Sequence, residues 1–248
     1  LGGKYEFSAV NRRKVAGVPC LQADVADYEA IRPAFDGIGT VLHLAAYTKD
    51  IQNWDETMRV TVHGTLNVFR AAHEAGVKRI VFMSSGSTMC AWEWHEGSPY
   101  GALARGEYDR LKRPWKMLDY RDAPRPDSPY AVGKLYGEAC GRWYSDKHAM
   151  SVLVIRLGAV LDTNRPKLIR HFPGYLDQMD AVQMIDKCLS APLSLKYDIF
   201  DAISDNSTRW RDTSHAKEVL GWRPTGSSDK FDPNEFRKES GSGLPVKF

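Results

Sequence analysis

Short apolar runs alternate along this chain with longer stretches of helical spacing, and that alternation limits the fold more than any other feature. Tyr5–Val10, Val18–Gln22, Thr40–Leu44, Lys78–Met83, Ser151–Leu157 and Tyr197–Ala202 read as strands. Asp27–Phe35, Glu56–Ala75, Tyr130–His148 and Asp177–Leu189 read as helices. In Glu56–Ala75 the apolar residues Met58, Val62, Leu66, Phe69 and Ala72 recur on one face, and Gly76 closes the helix. Alternation of this kind builds an α/β fold, a doubly wound parallel sheet, because parallel strands need a crossover helix between them. Such sheets hold ligands outside the carboxyl ends of their strands. The residues that follow Val10, Gln22, Leu44, Met83 and Leu157 are therefore the candidates for function.

A chain of 248 residues, 43% apolar, suffices for one globular domain with a small lobe attached. A net charge of +3 demands neither nucleic acid nor an anionic membrane as partner. The longest apolar stretch, Val152–Leu161, is interrupted by Arg156 and is too short to span a bilayer. The four cysteines are far apart and the seven histidines include no H-E-x-x-H, so free thiols in a reducing cytoplasm and no metal are expected. The first residue is leucine, which points to a preceding segment lost or processed. Residues 90–127 break the rhythm with three tryptophans, several prolines and mixed charge; a connection of this length is usually functional or folded in its own right. From Gly226 the chain turns polar and is expected to be loose.

Chemistry concentrates in Ser128–Glu138. Tyr130 and Lys134 lie one helical turn apart on one face. A lysine charge beside a phenol favours the phenolate, and a phenol tuned in this way can exchange a proton with an alcohol. Tyr108 and Lys112 have the same spacing, but no buried strand precedes them and Pro114 follows closely, so they read as solvated helix or loop. Ser84 and Ser85 close the strand before the long segment and place a hydroxyl at the sheet edge. Leu44, Ala45 and Ala46 follow another strand with small side chains, where a flat ligand can approach the backbone. Asp24 and Val25 follow the second strand; an acid there can accept from an adenine amino group or merely cap the next helix. Asn11 and Arg12 follow the first, where arginine suits a ribose 2′-phosphate.

These residues carry a resemblance. Val41–Ala46, Gly64–Val68, Gly76–Ser85, Ser128–Glu138, Ile155–Gly158 and Leu220–Pro224 are similar, in order, to motifs of the extended short-chain dehydrogenase/reductases of the NAD-dependent epimerase/dehydratase group. Arg156–Gly158 and the compact C-terminal half resemble uronate dehydrogenase-like members. The resemblance implies a Rossmann-like dinucleotide-binding domain over residues 1–160, interrupted at 90–127. It implies a small substrate-binding part over 161–225 and a polar tail over 226–248. It further implies NAD or NADP as cofactor, held by Asn11, Arg12, Asp24, Val25, Leu44, Ala45, Ala46, Tyr130 and Lys134. Tyr130 would be the acid/base, Lys134 would lower its pKa, and Ser85 would bond the reacting oxygen. Thr48, Ser85, Ser87, Arg165 and Arg170 would meet a sugar or sugar-acid substrate, the arginines by pairing with a carboxylate. The expected activity is sugar oxidation; the alternatives are a nucleotide-sugar epimerase or dehydratase, and a non-catalytic dinucleotide-binding protein. A homodimer through the helices at 56–75 and 130–148 is a further expectation.

Four departures accompany the resemblance. The opening strand and glycine-rich turn, roughly 20 residues, are not in this sequence. The family asparagine before Gly-Thr is Thr61. Gly86–Ser87 stands where uronate dehydrogenases carry Asn-His, and Ala159 replaces a serine. Residues 90–127 are expected to reshape the substrate site.

Overall fold

The computed structural model describes residues 1–95 and 97–236. Strand β1 (Ala9–Asn11) pairs in parallel with β2 (Cys20–Gln22) as a two-stranded sheet. A four-stranded sheet follows in the order β3 (Thr40–His43), β4 (Arg79–Ser85), β5 (Ser151–Leu157), β6 (Tyr197–Ala202). The β3–β4 pair is parallel, with Val41 opposite Ile80 and His43 opposite Phe82. The helices are α1 (Tyr28–Ile31), α2 (Trp54–Glu56), α3 (Gly64–Glu74), α4 (Pro99–Ala104), α5 (Pro129–His148), α6 (His171–Gly174), α7 (Gln178–Ser190) and α8 (Ser214–Leu220). This is the expected α/β, Rossmann-like arrangement of parallel sheets with flanking helices. No helix among the described residues is long and apolar enough to cross a membrane.

Local chemistry accounts for the ends of these elements. The Asp27 side chain accepts from the Ala30 amide and caps α1, while Asn53 caps α2 through the Glu56 amide. Ser128 caps α5 by accepting from the Ala131 amide, and Pro129 occupies the first turn, where a missing N–H costs nothing. Strand β4 is buried along its length except at Ser85, as befits a central strand covered on both faces.

The single helix expected over Glu56–Ala75 is three pieces. Between α2 and α3 lies a π-helical segment, Thr57–His63, of the kind that gathers at functional sites. Its Thr57 and Thr61 pack on Gly133 of α5, where an added Cβ would meet the two threonine methyls at 2.9 and 3.0 Å. Gly137 faces Phe82 of β4, and Gly141 faces Val152 of β5. Three glycines four residues apart let α5 lie closer to its neighbours than side chains would permit.

The chain divides into two compact units. The first comprises Leu1–Ser84, Ser128–Ile155 and Cys188–Asp198; the second comprises Ser85–Asp127, Arg156–Lys187 and the chain from Ile199. The described residues of 90–127 belong to the second unit as structure in their own right. Met89, Tyr100, Leu103 and Leu118 form a core with Trp210, and the Trp115 indole donates to the Arg209 carbonyl at 3.0 Å. The tail is not loose as far as Phe236. Phe236 is buried with Ile169 and Phe172, and Ser228 donates to the Phe172 carbonyl at 3.0 Å. Residues 237–248 of the expected tail lie outside the described residues.

Candidate functional site

In the first unit, α5 holds Tyr130 and Lys134 one turn apart. The Tyr130 amide donates to the Ile51 carbonyl at 3.2 Å, which fixes the start of the helix, and its side chain is half-buried. Lys134 is buried; its Nζ donates to the Met83 carbonyl at 2.6 Å and stands 5.7 Å from the centre of the Tyr130 ring. Burial strips water from the ammonium and pushes its pKa down to about 7. The cation that the sequence suggests here is thus one whose charge is costly to hold in the fold.

Two neighbours escaped the sequence reading. The Ser84 hydroxyl donates to the buried Glu138 carboxylate at 2.6 Å. The His43 Nε2 lies 3.0 Å from the Thr65 hydroxyl. Burial, together with the Lys134 charge, pushes His43 down to about 3, so its ring is neutral. The four-residue step from Lys134 to Glu138 was the available signal for the first; nothing in the spacing marks the second.

After β3, Leu44 is exposed and Ala45 and Ala46 are half-buried, while Thr48 is exposed. The Tyr47 amide donates to Thr61 Oγ1 at 3.0 Å. Thr61, a departure from the family pattern, thus ties the π-helical segment to the segment that follows β3. Asp24 accepts from the Ala26 amide and from Arg59, each at 2.9 Å, and Arg59 also pairs with Glu56 at 3.0 Å. Burial would raise the Asp24 pKa, but the amide and the guanidinium outweigh it and hold the carboxyl below its ordinary value. Val25 accepts from the Asn67 amide nitrogen at 3.0 Å and packs on Gly64. Asn11 and Arg12 are exposed at the end of β1.

The second unit holds the other expected residues. Ser85 Oγ accepts from the Ser87 amide at 3.1 Å, and the Ser87 carbonyl accepts from the Asp127 amide at 3.2 Å. Arg170 donates to Glu93 at 2.6 Å and to Asp127 at 3.1 Å, so its charge is already met by two carboxylates. Arg165 pairs with Glu235 at 3.0 Å and lies over the Phe231 and Phe236 rings. Tyr108 is in a single 3-10 turn and Lys112 is exposed outside any helix, so the second Tyr/Lys pair shares no helical face.

The residues present fit one end of a dinucleotide. Lys134 has three N–H donors and makes one hydrogen bond, to Met83, which leaves donors for ribose hydroxyls. Ala45 and Ala46 leave the backbone approachable. Both oxygens of Asp24, expected at the adenosine end, already accept hydrogen bonds.

Residues 2–220 match the family model described as "NAD dependent epimerase/dehydratase family". The chain is 32% identical over 210 residues to an NAD-dependent glucose-6-phosphate dehydrogenase of Haloferax volcanii, covering 84% of this chain and 76% of that protein. It is 30% identical over 237 residues to an L-arabinose 1-dehydrogenase (NAD(P)(+)) of the same organism, covering 92% and 90%. Among solved structures it is similar to uronate dehydrogenase from Agrobacterium tumefaciens, with a TM-score of 0.76 and 25% identity over 94% of this chain and 79% of that one. The chain belongs to the NAD-dependent epimerase/dehydratase family.

Proposed function

We propose that this protein is an NAD(P)-dependent oxidoreductase that oxidises a sugar or sugar acid. The observation that carries this is Lys134, buried one turn from Tyr130, with its Nζ on the Met83 carbonyl. A buried ammonium beside a phenol stabilises the phenolate, which then takes the proton of a substrate hydroxyl. Ser85 steadies the substrate oxygen as it becomes a carbonyl. The dinucleotide, when bound, supplies the acceptor for the hydride. Lys134 would hold its nicotinamide ribose, and Ala45, Ala46, Asp24 and Arg12 would line the rest, Arg12 suiting a 2′-phosphate. Arg165 and Arg170 are already ion-paired, and Thr48 and Ser87 remain the polar candidates for substrate hydroxyls.

The dehydrogenases to which the chain is similar support the same chemistry. Met58, Leu66, Val132 and Trp143 are exposed apolar residues on the helices at 54–74 and 129–148, and support a homodimer through that face. A cytoplasmic location accords with four free thiols.

Tyr130→Phe tests the assignment. It should lower kcat by about 100-fold to 10,000-fold, the usual worth of a positioned acid/base, and leave NAD(P) affinity within a few-fold. Turnover near that of the parent protein would refute it.

A further inference from the structure

An anionic substrate needs a cation with charge to spare, and the two arginines paired with carboxylates at the turn after Ser85 offer none. Three arginines meet that turn; Arg156, buried, donates to Met89 Sδ at 3.5 Å. Arg211 lies against Gly86, where an added Cβ would meet its Nη1 at 2.6 Å and its Cζ at 2.7 Å. Arg170 is tied through Asp127, whose amide donates to the Ser87 carbonyl. Arg211 pairs with Asp201 at 2.9 Å, with both side chains almost wholly buried. Arg170, only 20% exposed, pairs with Glu93 and Asp127, which are 4% and 5% exposed.

The count of charges is decisive. Arg170 faces two carboxylates, Glu93 and Asp127. Burial raises the Glu93 pKa to about 7, with Arg170 pulling it back down. With Glu93 protonated the group is neutral, and with Glu93 ionised it carries one negative charge. Neither state leaves Arg170 positive charge to offer. A sugar carboxylate or phosphate would have to displace a buried carboxylate from Arg170, leaving that carboxylate unpaired in a dry setting. Sugar hydroxyls meet no such penalty, because they can donate to carboxylate oxygens.

We propose, resting on the dehydrogenase chemistry above, that Glu93 and Asp127 set substrate charge: by neutralising Arg170 they admit an uncharged aldose beside Ser85 and reject sugar acids and sugar phosphates. Both carboxylates come from residues 90–127, the segment that interrupts the strand–helix rhythm. Its role is then to cancel an arginine that would otherwise recruit an anion.

The test is equilibrium binding and NAD(P)H formation with D-glucose, L-arabinose, D-glucuronate and glucose 6-phosphate, on the parent protein and on Glu93→Gln/Asp127→Asn. The parent should bind at least one uncharged sugar tenfold or more tighter than either anion. The double variant should gain tenfold or more in glucuronate affinity over the parent. Preference of the parent for glucuronate or glucose 6-phosphate overturns the proposal, whether or not the variant folds. Turnover of those anions in preference to the uncharged sugars leaves the dehydrogenase standing and removes the charge selection. Selective binding of an uncharged sugar without turnover does the reverse. Binding of none of the four overturns both.

Discussion

Gly137→Ala should loosen α5 from the sheet. A Cβ built at Gly137 falls 2.7 and 2.8 Å from Phe82 Cε1 and Cε2, and closer still to Cζ. Phe82 is fully buried between His43, at 5.6 Å between ring centres, and Phe69, at 6.2 Å, so its ring cannot swing clear. Overpacking a core costs about 1–3 kcal/mol, and alanine returns up to about 1 kcal/mol through helix propensity. The net loss is on the order of 1–2 kcal/mol, equivalent to roughly 2–8 °C in Tm for a chain of this size. The same displacement stretches the Lys134–Met83 hydrogen bond, so kcat should fall as well. Thermal unfolding and steady-state kinetics read both effects, with Gly39→Ala as control, since nothing lies within 4 Å of a Cβ there. Phe82→Leu introduced beside Gly137→Ala should recover part of the loss, giving a coupling energy of about 1 kcal/mol in a double-mutant cycle. Parent-like Tm and kcat in Gly137→Ala would show that the contact between helix and strand is not what places Tyr130 and Lys134.

Two other perturbations follow from buried charge. Arg79 is buried and donates to the carbonyls of Cys188, Leu189, Ala191 and Pro192 and to Ser151 Oγ, closing the end of α7; Arg79→Met should cost about 3–5 kcal/mol, read as a lower urea midpoint, and an unchanged midpoint would dismiss that role. His43 is held neutral in the fold down to about pH 3 but titrates near 6.5 when unfolded. The unfolded chain therefore binds the extra proton across that window, and stability, complete above pH 6.5, falls as pH drops towards 3. His43→Asn should flatten this acid limb in denaturation curves taken from pH 7 to pH 4; identical slopes would count against it.

Local signals were legible and remote ones were not. Strands β4 and β5 carry the continuous apolar runs Ile80–Met83 and Val152–Ile155, and the sequence alone placed β5 at its true ends, Ser151–Leu157. Tyr130 and Lys134 were legible because helical spacing puts them on one face. The Arg170 cluster was not, since its partners lie 77 and 43 residues away in a segment without periodicity. The core of residues 90–127 was hidden for the same reason, because Trp210 completes it from another part of the chain. The π-helical segment was invisible because its residues keep a helical hydrophobic pattern while the hydrogen bonding changes. The packed stretch up to Phe236 looked polar because two aromatics, Phe231 and Phe236, anchor it.

The glycine file of α5 has a geometric ambiguity built into it. Gly133, Gly137 and Gly141 repeat every four residues, so sliding the helix by one turn would set one glycine where another had been. Shape alone is nearly indifferent to that slip. The Lys134–Met83 and Ser84–Glu138 hydrogen bonds are not, because no lysine or glutamate recurs one turn earlier or later to replace them. The polar pair thus acts as an index pin: the residues that would carry out the chemistry also select the only register in which that chemistry is aligned.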